Sequence, residues 1–143
     1  MSWKRAAIAM MAVGIPLLAL LVVVLAVRAW APNGVDRFHY LTRHGYYDGA
    51  KFFRNLPEFM AQFGLHGDPD VTAVWMDRNI PDDSVRQSNL RGTVSFAMGG
   101  PNTRSTQLFI NKRDNSRLDA MGFAPIGRVI EGMQADDSLY EGY

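Results

Sequence analysis

The chain contains no cysteine. Disulfides, thiol catalysis and cysteine-ligated metal are therefore excluded. Histidine is scarce as well: His39, His44 and His66 do not fall at a zinc-type spacing, and no metal is expected. An excess of one charge sign is also lacking. The 15 basic and 14 acidic side chains leave a net charge of +1 over 143 residues. That is no electrostatic footprint for nucleic acid, and no run of like charges reads as an interaction tail. Internal repeats and low-complexity blocks are absent. At this length a single domain is expected.

What is abundant is apolar sequence near the N-terminus. A basic head, residues 1–5 with Lys4 and Arg5, precedes residues 6–27, which carry no charge. At about 1.5 Å per residue such a run is long enough as a helix to cross a bilayer core of roughly 30 Å. A secretory signal has a shorter apolar core, and although Ala29-Trp30-Ala31 offers an Ala-x-Ala pattern, Pro32 would follow the cut. The expectation is a retained transmembrane helix over 6–28, in which Gly14 and Pro16 are tolerated. Lys4 and Arg5 oppose Arg28, Arg37 and Arg43 across it. This favours a single-pass membrane protein with residues 31–143 on the extracytoplasmic side. A second reading competes. Residues 21–30 are β-branched and apolar, and periodicity does not separate a buried strand from a helix there. The two exclude each other, because a strand would leave too few residues before it to span.

After this run Pro32 suits the first turn of a helix. Val35, Phe38, Tyr40 and Leu41 recur at roughly helical spacing, and Gly45 is the expected C-cap. Tyr46-Tyr47-Asp48-Gly49 reads as a turn, its Asp-Gly pair being a hairpin signal. Short strands are expected over 51–55, 59–63, 92–98 and 107–111, with Pro57 interrupting the first two. Phe53 is assigned to the core. Residues 64–82 read as loop-rich with Trp75 packed, 123–130 as a bend leading into a strand, and 132–143 as one or two helical turns. Many short strands with one or two helices suggest a small barrel.

Two segments carry the chemistry. The first is Phe52-Phe53-Arg54-Asn55-Leu56-Pro57-Glu58-Phe59-Met60-Ala61-Gln62. The second is Gly100-Pro101-Asn102-Thr103-Arg104-Ser105-Thr106-Gln107-Leu108-Phe109-Ile110, followed by Leu118-Asp119 and Gly127-Arg128-Val129. Singly, these residues have ordinary readings: Arg54 as a surface arginine, Phe59, Met60 and Phe109 as core, Gln62 as a solvated strand residue, and Gly100 to Thr103 as a turn. Together and in this order they resemble the signature segments of the cyclophilins, the peptidyl-prolyl cis-trans isomerases. Trp30-Ala31-Pro32-Asn33-Gly34, Gln62-Phe63-Gly64-Leu65 and Gly122-Phe123-Ala124-Pro125 are similar to bacterial members.

The resemblance implies a mainly β fold with one or two helices, a cyclophilin-like antiparallel barrel with a peptide groove on one face. It implies no cofactor, and proline-containing polypeptides as substrates. Carried over by position, Arg54 and Gln62 are the catalytic pair. Phe59, Met60, Phe109 and Leu118 are the pocket for the proline ring. Ala97, Met98 and Gln107 are the groove wall, with Met98 contributing mainly backbone. Such chemistry needs no nucleophile. The barrier is amide resonance, about 18–20 kcal/mol, and a fixed guanidinium that favours the twisted amide over the planar one lowers it.

The sequence departs from the pattern in five places. Family members usually open with two strands before the first helix and end with a strand pairing near the start, so the barrel is expected to be incomplete at both ends. Glu58 stands where glycine is usual, Met98 where asparagine is usual, and Arg117 where many relatives carry tryptophan. Weak inhibition by the family's cyclic-peptide inhibitors is expected from Arg117. Two alternatives to the enzyme remain: a membrane-anchored module that binds proline segments without turnover, and a degenerate fragment.

Overall fold

A computed structural model of the chain describes residues 6–13 and 20–134. Seven strands form one sheet: β1 Ala6–Val13, β2 Leu20–Val27, β3 Arg54–Leu56, β4 Met60–Phe63, β5 Thr93–Phe96, β6 Leu108–Asn111 and β7 Pro125–Glu131. Helix α1, Pro32–Arg43, lies between β2 and β3, and α2, Pro69–Met76, between β4 and β5. The strand order is β1-β2-β7-β5-β6-β4-β3, antiparallel throughout. β1 and β3 stand at the two edges of this sheet among the described residues.

A transmembrane helix is expected over 6–28, but the described parts of that segment, 6–13 and 20–27, are strands. β1 and β2 pair antiparallel with Ala6 opposite Val27 and Val13 opposite Leu20, and β2 pairs in turn with β7, Val24 opposite Val129. No helix among the described residues is long and apolar enough to cross a membrane. The strand reading of 21–30 holds for β2, which ends at Val27, while β1 over 6–13 was not anticipated; the two strands precede the first helix, where the resemblance leads one to expect a pair. The physical reason is the pleat: Val22, Val24 and Ala26 face the main core and are fully buried, whereas on the other parity Val23 is buried outside that core and Leu25 and Val27 are half-buried. β-branched side chains favour such a surface. β2 also needs a partner that comes close, and Gly127 on β7 supplies it. A Cβ there would lie 2.1 Å from the Leu25 carbonyl oxygen.

Helix α1 begins at Pro32 and turns Val35, Phe38 and Leu41 into the core. Its end is a Schellman closure: Tyr46 N–H donates to the Leu41 carbonyl and Gly45 N–H to that of Thr42, with Gly45 at φ 74°. Its N-terminus is capped from a distance. Asp83 accepts from the backbone N–H of Asn33 at 3.0 Å and of Gly34 at 2.8 Å, and also pairs with buried Arg104 at 3.1 Å.

Tyr46 to Gly49 form a turn, but no hairpin. Both tyrosines are buried in the core and the segment joins helix to strand. Residues 64–82 contain α2, which the loop-rich reading omits. It has Asp68 as N-cap, accepting from Asp70 N–H at 2.9 Å, and Pro69 in the first turn. None of its residues is fully buried, and only Val71 and Trp75 pack against the core, both partly exposed. Phe52, not Phe53, is the core residue of its pair. The expected turns over 132–143 lie largely outside the described residues.

Candidate active site

Strand parity divides the apolar residues into two clusters. On β4, Ala61 and Phe63 face the main core, while Met60 belongs to a second cluster with Phe109 and Leu118. β6 repeats the division: Leu108 and Ile110 face the core, and Phe109 faces the other way. Gln62 lies opposite Phe109, and Met60 opposite Asn111. The sheet therefore has a second apolar surface on its outer side. Leu56, Phe59, Ala97 and Phe123 complete it, partly buried. Phe123 meets Phe109 edge-on, with centroids 5.6 Å apart.

A groove of about 430 Å³ opens over this surface. Arg54, Phe59, Met60, Gln62, Ala97, Met98, Gln107, Phe109 and Leu118 all border it, so the structure brings together the nine residues carried over to the site. Arg54 is exposed and stands across from Gln62 in the β3–β4 register. Among the described residues the Arg54 side chain has no hydrogen bond or ion pair. Gln62 is turned elsewhere: its Nε2 donates to Oε1 of Gln107 at 2.8 Å. The wall is fixed through the main chain, Ala97 N–H donating to the Gln107 carbonyl at 2.9 Å.

Phe59 is held by its carbonyl, which accepts from Lys112 N–H and from Asn115 Nδ2, each at 2.9 Å. The turn before it places Glu58 at φ 56°, in the left-handed region. Glycine enters that region freely and glutamate at a cost of roughly 1–2 kcal/mol. Arg117 sits over the Phe59 ring, its Cζ 4.9 Å from the centroid.

A buried polar network supports the floor. Asn89, fully buried, donates from Nδ2 to Asp119 at 2.8 Å and to the Phe123 carbonyl at 2.9 Å, and accepts from the Ser95 hydroxyl at 2.7 Å. Asp119 also accepts from the Ser88 hydroxyl and from Asn89 N–H. Partial burial pushes the Asp119 carboxyl up, but the bonds from Ser88 and Asn89 together hold it below its ordinary range. Asp119 follows Leu118 directly, so the network anchors the turn that carries a floor residue.

The sequence reading missed Phe123 and one end of the groove, where Leu65, Thr72, Met76, Thr103, Ser105 and Thr106 contribute. Helix α2 delivers Thr72 and Met76. It is held by Trp75, whose ring lies 5.0 Å from the Arg37 guanidinium and 5.6 Å from that of Arg78. Arg37 donates to the carbonyls of Arg78 at 2.7 Å and Ser105 at 3.1 Å. The Asp68-Pro69 pair was the available signal for this helix. The Gly100 to Thr103 segment is a turn, with Asn102 at φ 56° and reciprocal hydrogen bonds between Asn102 and Asp82. Among the described residues no group of three or more His, Cys, Asp or Glu could hold a metal.

A family model described as cyclophilin type peptidyl-prolyl cis-trans isomerase matches residues 19–142. Peptidyl-prolyl cis-trans isomerase-like 3 of Rhizopus delemar is 38% identical over 117 residues, covering 76% of this chain and 67% of that protein. Peptidyl-prolyl cis-trans isomerase A of Dickeya dadantii is 36% identical over 116 residues, covering 76% of this chain and 60% of that one. Among solved structures, the Cryptosporidium parvum cyclophilin type isomerase superposes with a TM-score of 0.70 at 26% identity, covering 85% of this chain and 78% of that one. A structure of that protein in the presence of the dipeptide Ala-Pro gives the same TM-score at 25% identity.

Proposed function

The chain belongs to the cyclophilin-type peptidyl-prolyl cis-trans isomerase family, and on that premise we propose that it accelerates cis–trans isomerisation of X–Pro bonds in polypeptides through the groove described above. The observation that carries this is one juxtaposition. An arginine without a protein partner borders an outward apolar floor of Phe59, Met60, Phe109 and Leu118 in a single groove.

The two X–Pro isomers are close in energy, so only the barrier between them needs lowering. The apolar floor takes the proline ring and holds it while the preceding carbonyl rotates. As the bond twists, the prolyl nitrogen loses conjugation and becomes a hydrogen-bond acceptor. The Arg54 guanidinium, always charged and rigidly forked, donates to it. Because the planar ground state offers no such acceptor, the bond is made in the transition state and lowers the barrier. The apolar surroundings strengthen that electrostatic interaction. Gln62 and Gln107, joined side chain to side chain, orient the substrate backbone along the wall. No proton is transferred and no covalent intermediate forms. Support for the substrate class comes from the names of the relatives and from the Ala-Pro dipeptide used with the Cryptosporidium protein.

The test is isomerisation of a short X–Pro peptide by the full chain beside its Arg54→Ala variant. Removal of one preorganised donor is expected to cost about 10²- to 10³-fold in kcat/KM. Equal rates for the two proteins, or no acceleration by the unmutated chain, would overturn the reading.

A further inference from the structure

We propose that Arg117 makes this groove selective for proline segments that carry a carboxylate side chain beside the proline. The inference rests on the groove being the peptide site. Arg117 belongs to the short 3₁₀ turn Ser116–Leu118, whose Leu118 is buried in the groove floor, while Arg117 itself is exposed. Its guanidinium lies over the ring of Phe59, another groove residue, at 4.9 Å. Its hydrogen bond goes to Oδ1 of Asn115, at a long 3.4 Å. Both partners are neutral, so the charge is uncompensated among the described residues. The neighbouring Arg113 differs, having Glu58 at 3.5 Å.

The groove itself adds no balancing charge. Its lining contains no acidic side chain, and its one charged member is Arg54, a second cation without a carboxylate. A peptide lying over Phe59 therefore meets uncompensated positive charge. Packing against the ring restricts the Arg117 side chain before any ligand arrives, which reduces the ordering cost of binding. The planar donor fork of arginine matches a carboxylate with two hydrogen bonds. A lysine or arginine beside the proline would be repelled by the same charge.

The test is binding of labelled short peptides, read by fluorescence anisotropy, with Glu, Gln or Lys placed in turn before and after the proline. At low ionic strength the unmutated chain is expected to bind a Glu peptide about three- to fivefold more tightly than its Gln counterpart, as for an exposed ion pair. The ratio falls as salt screens it. Arg117→Gln brings the ratio to about one, Arg117→Lys keeps the charge but loses the fork and the ring packing and so retains only part of it, and Arg113→Gln leaves it in place. A ratio near one in the unmutated chain, or one that survives Arg117→Gln, would overturn the proposal. Turnover of the same peptides is measured separately. Absence of acceleration would sink the isomerase reading, while the binding ratio would still decide the role of Arg117.

Discussion

Gln62 and Gln107 are joined directly, side chain to side chain, at 2.8 Å, on the groove's polar wall. Gln62 also stands across from Arg54 in the strand register. The amide pair thus braces a residue next to the arginine without consuming the arginine's own donors. Gln62→Ala is expected to lower kcat/KM about tenfold, the equivalent of one hydrogen bond to a charged or polarised group. Thermal unfolding should fall only slightly, by the roughly 1 kcal/mol that leaves Gln107 unpaired. A loss of activity matched by a collapse in stability would assign Gln62 to the fold instead.

The pairing of β2 with β7 is tested by Gly127→Ala. The new methyl would stand 2.1 Å from the Leu25 carbonyl oxygen and 2.8 Å from Ala26 Cα, both backbone atoms that cannot rotate away. A loss of about 1–3 kcal/mol is expected by denaturant unfolding, the range for overpacking. An unchanged midpoint would mean that residues 25–26 do not lie beside β7.

Asp83 holds the N-terminus of α1 and the buried guanidinium of Arg104 with one carboxylate, both side chains being within a few percent of full burial. Asp83→Ala leaves that guanidinium without its closest carboxylate and is expected to cost about 3–5 kcal/mol. Adding Arg104→Met should recover part of the loss, because the buried charge is then gone. A double variant no more stable than the single one would contradict the pairing.

The acid limb of stability should report Asp119. Its folded carboxyl lies below the ordinary value of 3.8 because Ser88 and Asn89 donate to it against the effect of burial. The unfolded state therefore takes up the proton first. The stabilisation is present above the unfolded pKa and is lost as pH falls through the lower folded one. Asp119→Asn should lower Tm at neutral pH and narrow the gap to the unmutated chain below about pH 3.9. A gap that stays constant with pH would remove Asp119 from this role.

The groove residues were legible only through the resemblance of two ordered segments, because singly Phe59, Met60 and Phe109 read as core. Which face of β4 and β6 each side chain takes is shown by the structure, where Met60 and Phe109 turn away from Ala61, Phe63, Leu108 and Ile110. Helix α1 was legible from Pro32 and Gly45. The N-terminal strands were not, because a continuous apolar run satisfies a bilayer and a barrel interior equally well. What decided between them was a partner far along the chain, β7, and its small residue Gly127. Helix α2 escaped because its apolar contact is thin: only Val71 and Trp75 pack against the core, both partly buried. It is held by an indole between two guanidiniums, which leaves no periodic trace.

The sheet brings Val23 opposite Glu131 and Val24 opposite Val129, so a strand from the beginning of the chain closes on one from near its end. Contacts of such long sequence separation slow folding, since the loop entropy is spent before the contact forms. During synthesis β2 must wait, apolar and unpaired on its β7 side, until all the intervening elements and β7 itself have left the ribosome. Pro125 and Ile126, which open β7, arrive after every strand to which β7 will pair. A chain proposed to speed a slow isomerisation in other polypeptides is itself, by its topology, a late folder, and its earliest strands are the ones most exposed to aggregation.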